Sequence, residues 1–169
     1  MPEFDKIIRN GTIVDGTGGN PAFQGDIAIK NGKIARISGR IQGSAKEELD
    51  ATGCIVAPGA IDLHNHYDLQ LNWDPYASLS GWFGVTSLTV GQCGFGFAPT
   101  RPEDRELNMR MMNRIEAIPL ESIRQGMRWD WETFPAYIAS LDLPGLGVTL
   151  GPLVPFSPLL CCCLCLVPA

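Results

Sequence analysis

The chain has 169 residues, 45% of them hydrophobic and 18% charged, a composition that supports an ordinary globular core. Its net charge of -5, with no cluster of lysine and arginine, excludes the basic footprint that nucleic acid or an anionic membrane surface requires. The acidic amino terminus carries no secretory-type apolar segment, and no stretch approaches the roughly 20 apolar residues of a membrane-spanning helix, so a cytoplasmic location is expected.

The first fifty residues read as short strands joined by turn chemistry. Lys6 to Arg9 and Thr12 to Asp15 flank Asn10-Gly11, a dipeptide that predicts a hairpin between them. The pattern recurs where Asp26 to Lys30 and Lys33 to Ile37 flank Asn31-Gly32, with Ile27 and Ile29 sharing one face and Ala35 and Ile37 another. Residues 1–54 are therefore expected to form a small β-sandwich or barrel module with a structural role. From Ile55 the texture alternates between strand and helix. Gly84 to Val90 is β-branched and apolar, as in a parallel strand covered on both faces. Thr100 and Glu103 fit a capping box that opens a helix with Leu107, Met111, Ile115 and Ile118 on its apolar face. A second helix is expected from Asp130 as N-cap through Phe134, Tyr137, Ile138 and Leu141, followed by a third strand over Gly147 to Gly151. Strand and helix in this order imply a parallel sheet or a (β/α) barrel.

Chemistry concentrates at two strand exits. The chain's two histidines, His64 and His66, are two residues apart after an apolar run that begins at Cys54. If Ile61 to His66 is extended, both imidazoles project to one face while Asn65 points away. Two convergent imidazoles chelate a divalent metal, although such a pair also arises when two polar residues merely alternate. Gly91-Gln92-Cys93-Gly94 lies at the next strand exit, and adjacent strands would bring Cys93 beside the histidines as a thiolate donor. The other reading of Cys93 is a small buried apolar residue. Asp68 is expected either as a group that hydrogen-bonds a ligand imidazole or substrate, or as a loop cap. The remaining cysteines, among them Cys161, Cys162, Cys163 and Cys165, lack both disulfide and zinc-site spacing.

These segments resemble a known family. Ala57 to Asp68, which contains Ile61-Asp62-Leu63-His64-Asn65-His66, is similar to the first barrel strand of the amidohydrolase superfamily, where a β-sandwich precedes a metal-dependent barrel. Together with Gly84-Val85-Thr86 and Val90 to Pro99, it resembles the N-terminal portion of the N-acyl-D-amino-acid deacylase (D-aminoacylase) group. The resemblance spans about Lys6 to Leu159. It implies a mixed fold, a small β-sandwich followed by the first βα units of an incomplete (β/α)8 TIM-like barrel over residues 55–159. It also implies one or two zinc ions held by His64, His66 and Cys93, with Asp68 beside them, and a small-molecule N-acyl amino acid as substrate. The implied activity is hydrolysis of a carbon-nitrogen bond outside peptides. A ring-opening hydrolase of cyclic amides, of the hydantoinase or dihydroorotase kind, is the alternative, disfavoured by Cys93.

Two departures accompany the match. No histidine follows His66, whereas the family draws further histidines and a catalytic aspartate from later strands. No catalytic residue is assigned, and a truncated, inactive fragment that associates with itself through its exposed barrel edge is the rival expectation. Residues 160–169, rich in Cys and Leu, match no part of the family and are read as a frame-shifted tail, with reversible acylation of the cysteines as the alternative.

Overall fold

The computed structural model describes residues 2–142 and 144–164. They divide into two compact units, Met1–Pro58 and Gly59–Ala169. The division falls later than Cys54 because Ile55 and Val56 pair with the first strand of the chain.

The first unit contains β1 (Phe4–Ile13), β2 (Phe23–Lys30), β3 (Lys33–Ser38), β4 (Ala45–Asp50) and β5 (Ile55–Val56). Among the described residues these make one five-stranded sheet in the order β3-β2-β1-β4, with β5 also on β1. Every described strand of the unit is joined into that one sheet. The Asn31-Gly32 hairpin forms between β2 and β3, both residues at positive φ (52° and 71°) as a tight turn requires. Asn10-Gly11 does otherwise. β1 runs straight through it, with a register shift against β2 between Ile8 and Gly11 and Asn10 at φ 60°. This is a β-bulge, and it separates the stretch of β1 that pairs with β4 from the stretch that pairs with β5. Gly11 is required here, since a Cβ would stand 2.5 Å from Val56 Cγ2.

Asp26 secures the bulge. Its buried carboxylate accepts hydrogen bonds from Asn10 N (2.9 Å), Ile41 N (3.0 Å) and Arg9 Nη1 (3.1 Å), close to a core of Phe4, Ile7, Ala28 and Ile41. Burial alone would push the carboxyl pKa up. The two amides and the guanidinium outweigh that effect and hold it below the ordinary aspartate value.

The second unit is α/β. Its strands β6 (Ala60–Asp62), β7 (Val85–Val90) and β8 (Thr149–Pro152) form a parallel sheet in sequential order. Helices α1 (Tyr67–Gln70) and α2 (Ser78–Trp82) connect β6 to β7. A 3-10 turn (Pro102–Asp104) leads into α3 (Arg105–Glu116), α4 (Leu120–Gly126) and α5 (Phe134–Asp142) before β8, and α6 (Phe156–Leu164) follows it. Parallel neighbours need such long crossovers. Leu88 of β7 packs in one cluster with Leu69, Met112, Ile123, Tyr137 and Leu141.

Local details correct the sequence reading. Thr100 is not a helix cap: it is buried, its hydroxyl donates to Phe97 O (2.7 Å) and accepts from Asn108 Nδ2 (2.8 Å). The helical run begins one residue later, at Pro102 behind Arg101, since proline is preorganised for a first turn. α3 buries Asn108, Met109 and Met112 rather than the stripe through Leu107, Met111 and Ile115, a rotation of one position that leaves Ile115 39% exposed. Thr133, not Asp130, caps α5, accepting from Ala136 N (3.3 Å), while Asp130 accepts from the Ser140 hydroxyl (2.6 Å). The expected tail starts inside α6, and its residues 165–169 lie outside the described residues. No described helix is long and apolar enough to cross a membrane.

Asp26→Ala should destabilise the first unit by about 2 kcal/mol, chiefly because it leaves the Asn10 and Ile41 amides without an acceptor, while the Arg9 guanidinium keeps Glu48 and the Ile41 carbonyl. Because the folded pKa of Asp26 is depressed, its contribution is present above the unfolded carboxyl pKa of about 3.9 and is lost as pH falls through the lower folded value. Urea titrations from pH 7 to pH 3 should show acid destabilisation that is smaller in the variant.

Candidate metal centre

β6 is only three residues long, and what stops it builds the site. Asp62 Oδ1 accepts from His64 N (3.1 Å), and Asn65 Oδ1 accepts from Tyr67 N (3.2 Å). Each is a side chain capturing the backbone two residues on, which takes amides out of the ladder. His64, Asn65 and His66 therefore lie beyond the end of β6, and the two imidazoles do not share one face of an extended strand as the spacing alone suggests. The two rings nevertheless converge, with centroids 6.3 Å apart.

Asn65 holds this turn to the neighbouring strand. Its Nδ2 donates to Asp62 O (3.3 Å) and Thr89 O (3.1 Å), and the Thr89 hydroxyl donates back to Leu63 O (2.7 Å). At the exit of β7 the chain reverses at Gly91, which has φ 83° and would place a Cβ 2.3 Å from Leu153 O. Gly94 N closes the turn on Gly91 O (3.1 Å), and Cys93 is carried back toward the histidines.

Cys93 Sγ consequently lies 3.1 Å from His66 Nε2. Donor atoms of His64, His66 and Cys93 all fall within 4.8 Å of one another. His64 and Cys93 are exposed, whereas the His66 side chain is only 9% exposed. They line a cavity of about 590 Å³ whose remaining wall includes Tyr67, Gln70, Phe95, Glu116 and Ile118. Two imidazoles and a thiolate in this arrangement suit a zinc-like cation, whose tetrahedral shell takes nitrogen and sulfur donors.

Asp68 stands behind His66 in the first turn of α1. Its Oδ1 is 3.7 Å from His66 Nδ1, near enough to interact and too long for a hydrogen bond. Both carboxylate oxygens and His66 Nδ1 are buried without a hydrogen-bond partner. Burial raises the Asp68 pKa, against the pull of His66. The His66 pKa is raised by the Asp68 carboxylate, against burial, with Glu116 adding to it through Oε1 at 3.6 Å from Nε2. Sequence reading missed two of these participants. Strand alternation points Asn65 away from the site, although an asparagine at a strand exit is a signal for local backbone capture. Glu116 comes from the far end of α3, and no pattern in the sequence ties it to His66.

Against known proteins, the amidohydrolase family model matches residues 47–144. The chain belongs to the amidohydrolase family. It is 32% identical over 143 residues to N-acyl-D-aspartate deacylase of Alcaligenes xylosoxydans xylosoxydans, covering 85% of this chain and 28% of that enzyme. The solved D-aminoacylase structure that defines a novel subset of amidohydrolases superposes with TM-score 0.73 at 28% identity, over 92% of this chain and 30% of that one. N-acyl-D-glutamate deacylase from Bordetella Bronchiseptica, solved with zinc and a phosphonate inhibitor that mimics the tetrahedral intermediate, superposes with TM-score 0.67 at 31% identity, with the same coverage of both chains. The chain thus spans about 30% of the length of these relatives, and its likeness within the family is to the D-aminoacylase group.

Asn65→Ala should cost about 1–2 kcal/mol through the loss of its side-chain hydrogen bonds. Amide hydrogen exchange at His64 to Tyr67 should accelerate in that variant while exchange in β1 and β2 stays unchanged.

Proposed function

We propose that this amidohydrolase chain carries part of a metal-dependent site for hydrolysing the amide bond of N-acyl amino acids, with His64, His66 and Cys93 as metal ligands. The observation that carries the reading is the meeting of three donors from two adjacent strand exits within 4.8 Å. The names of the relatives support an N-acyl-D-amino acid as the substrate class. Zinc is the proposed ion on the chemistry of the donors, and β6, β7 and β8 with their helices are read as the first staves of a (β/α)8 barrel.

When bound, a zinc ion lowers the pKa of its water to about 7 and polarises a scissile carbonyl. The chain's own part is to present His66 Nε2 from the turn that Asn65 holds and Cys93 Sγ from the Gly91–Gly94 turn after β7. Asp68 faces Nδ1 of the same ring, where it favours the tautomer protonated at Nδ1 and frees Nε2 to donate. Phe95, Ile115 and Ile118 supply the apolar wall for an acyl chain, and Gln70 and Tyr67 are its polar neighbours. No general base is assigned among the described residues.

A second reading, a chain that holds metal without turning over substrate, rests on the donor set itself, since two imidazoles and a thiolate can hold a cation without a general base. Metal analysis and an acyl-release assay on N-acetyl-D-amino acids separate the two. The expected result is zinc uptake with zinc-dependent release that His66→Ala and Cys93→Ser abolish. Zinc uptake without release supports the second reading, and failure to take up zinc contradicts both.

A further inference from the structure

A fourth side chain faces His66, one of the three proposed donors, from a helix. Glu116 ends α3, lines the same cavity, and holds Oε1 3.6 Å from His66 Nε2. Nitrogen and oxygen donors about 2.0–2.2 Å from one tetrahedral ion lie about 3.4 Å from each other. The carboxylate and the imidazole already stand at nearly the separation that a shared ion imposes.

The position of Glu116 argues the same way. A carboxylate in the last turn of a helix sits at the negative end of the macrodipole, where it is disfavoured unless a cation offsets it. Its ionic contact among the described residues is with His66, itself a proposed ligand. The helix end is also built to a fixed shape. Ala117 leaves α3 in the left-handed region at φ 53°, and Asn113 Nδ2 donates to Ile118 O (2.5 Å), bracing the chain on the far side of Glu116. With the side chain 31% exposed, its head can reach the cavity without complete desolvation.

We propose that Glu116 is the fourth donor of a His64, His66, Cys93 and Glu116 site for a zinc-like divalent cation. The inference rests on the reading that the first three residues hold metal. Two nitrogens, a sulfur and one oxygen select zinc or cobalt over magnesium and calcium, which take shells of oxygen. A carboxylate acting instead as a base on bound water would stand farther from the ligand nitrogens and leave metal affinity nearly unchanged.

The test is titration of the metal-free 169-residue chain with Zn2+ against a chromophoric chelator, and with Co2+ followed by absorption. Wild type, Glu116→Gln, Glu116→Ala and Cys93→Ser are compared with Glu103→Gln, a control on the exposed 3-10 turn outside the cavity. Circular dichroism reports folding of each. The expected result is a zinc affinity lowered about tenfold or more in both Glu116 variants, with the thiolate-to-cobalt band retained and Glu103→Gln unchanged. Wild-type affinity in the folded Glu116 variants, with the thiolate band lost in Cys93→Ser, overturns the role of Glu116 and leaves the three-donor reading standing. No metal uptake by wild type overturns both.

Discussion

The side-chain amide of Asn65 is the constraint on which the site depends. One residue spans the carbonyls of Asp62 and Thr89 and the amide of Tyr67, and so fixes the turn after β6 to the strand beside it. Each such bond contributes about 1 kcal/mol net. Their geometric effect is larger than their energy, because a parallel pair as short as β6 on β7 cannot by itself dictate where the next four residues go. The Thr89 hydroxyl on Leu63 O adds a further bond across the same gap. With the turn pinned, the direction of His66 follows, and the glycine turn at Gly91 brings Cys93 to meet it.

Two buried aspartates show how the chain treats charge inside and outside the site. Asp26 has three donors on its carboxylate, and its pKa is held down despite burial. Asp68 has no hydrogen-bond donor on either oxygen, and burial pushes its pKa up. The first is a structural group, fully satisfied, that stabilises a bulge in β1. The second is left underpaired beside His66, an arrangement that costs stability and is the kind found where a side chain has chemistry to perform.

Much of this was legible in the sequence, and the failures have physical causes. The parallel strands β7 and β8, the helices α3 and α5 and the proximity of Cys93 to the histidines followed from apolar patterning and from the neighbourhood of strand exits, whereas α4 did not. The first Asn-Gly failed as a hairpin because Asp26, sixteen positions away, satisfies the Asn10 amide and lets β1 continue through a bulge. The second forms a hairpin with both residues at positive φ, and there a distant carboxylate supports the turn, since Asp5 Oδ2 accepts from Asn31 N (2.6 Å). The extended His-x-His failed for a local reason, since Asp62 and Asn65 take up backbone amides that a strand would use. Thr100 read as a cap and is a buried bridge between Phe97 O and Asn108, a partner eight residues on. Glu116 was invisible for the opposite reason: only the folding of α3 against the sheet brings the end of that helix to His66.

The proposed metal centre requires the exits of β6 and β7 to meet at one ion. X-ray absorption at the zinc edge of the loaded chain reads this directly. The account predicts a first shell with one sulfur at about 2.3 Å and nitrogen or oxygen donors at about 2.0–2.2 Å, the sulfur disappearing in Cys93→Ser. A shell of nitrogen and oxygen alone in the wild-type chain would contradict it.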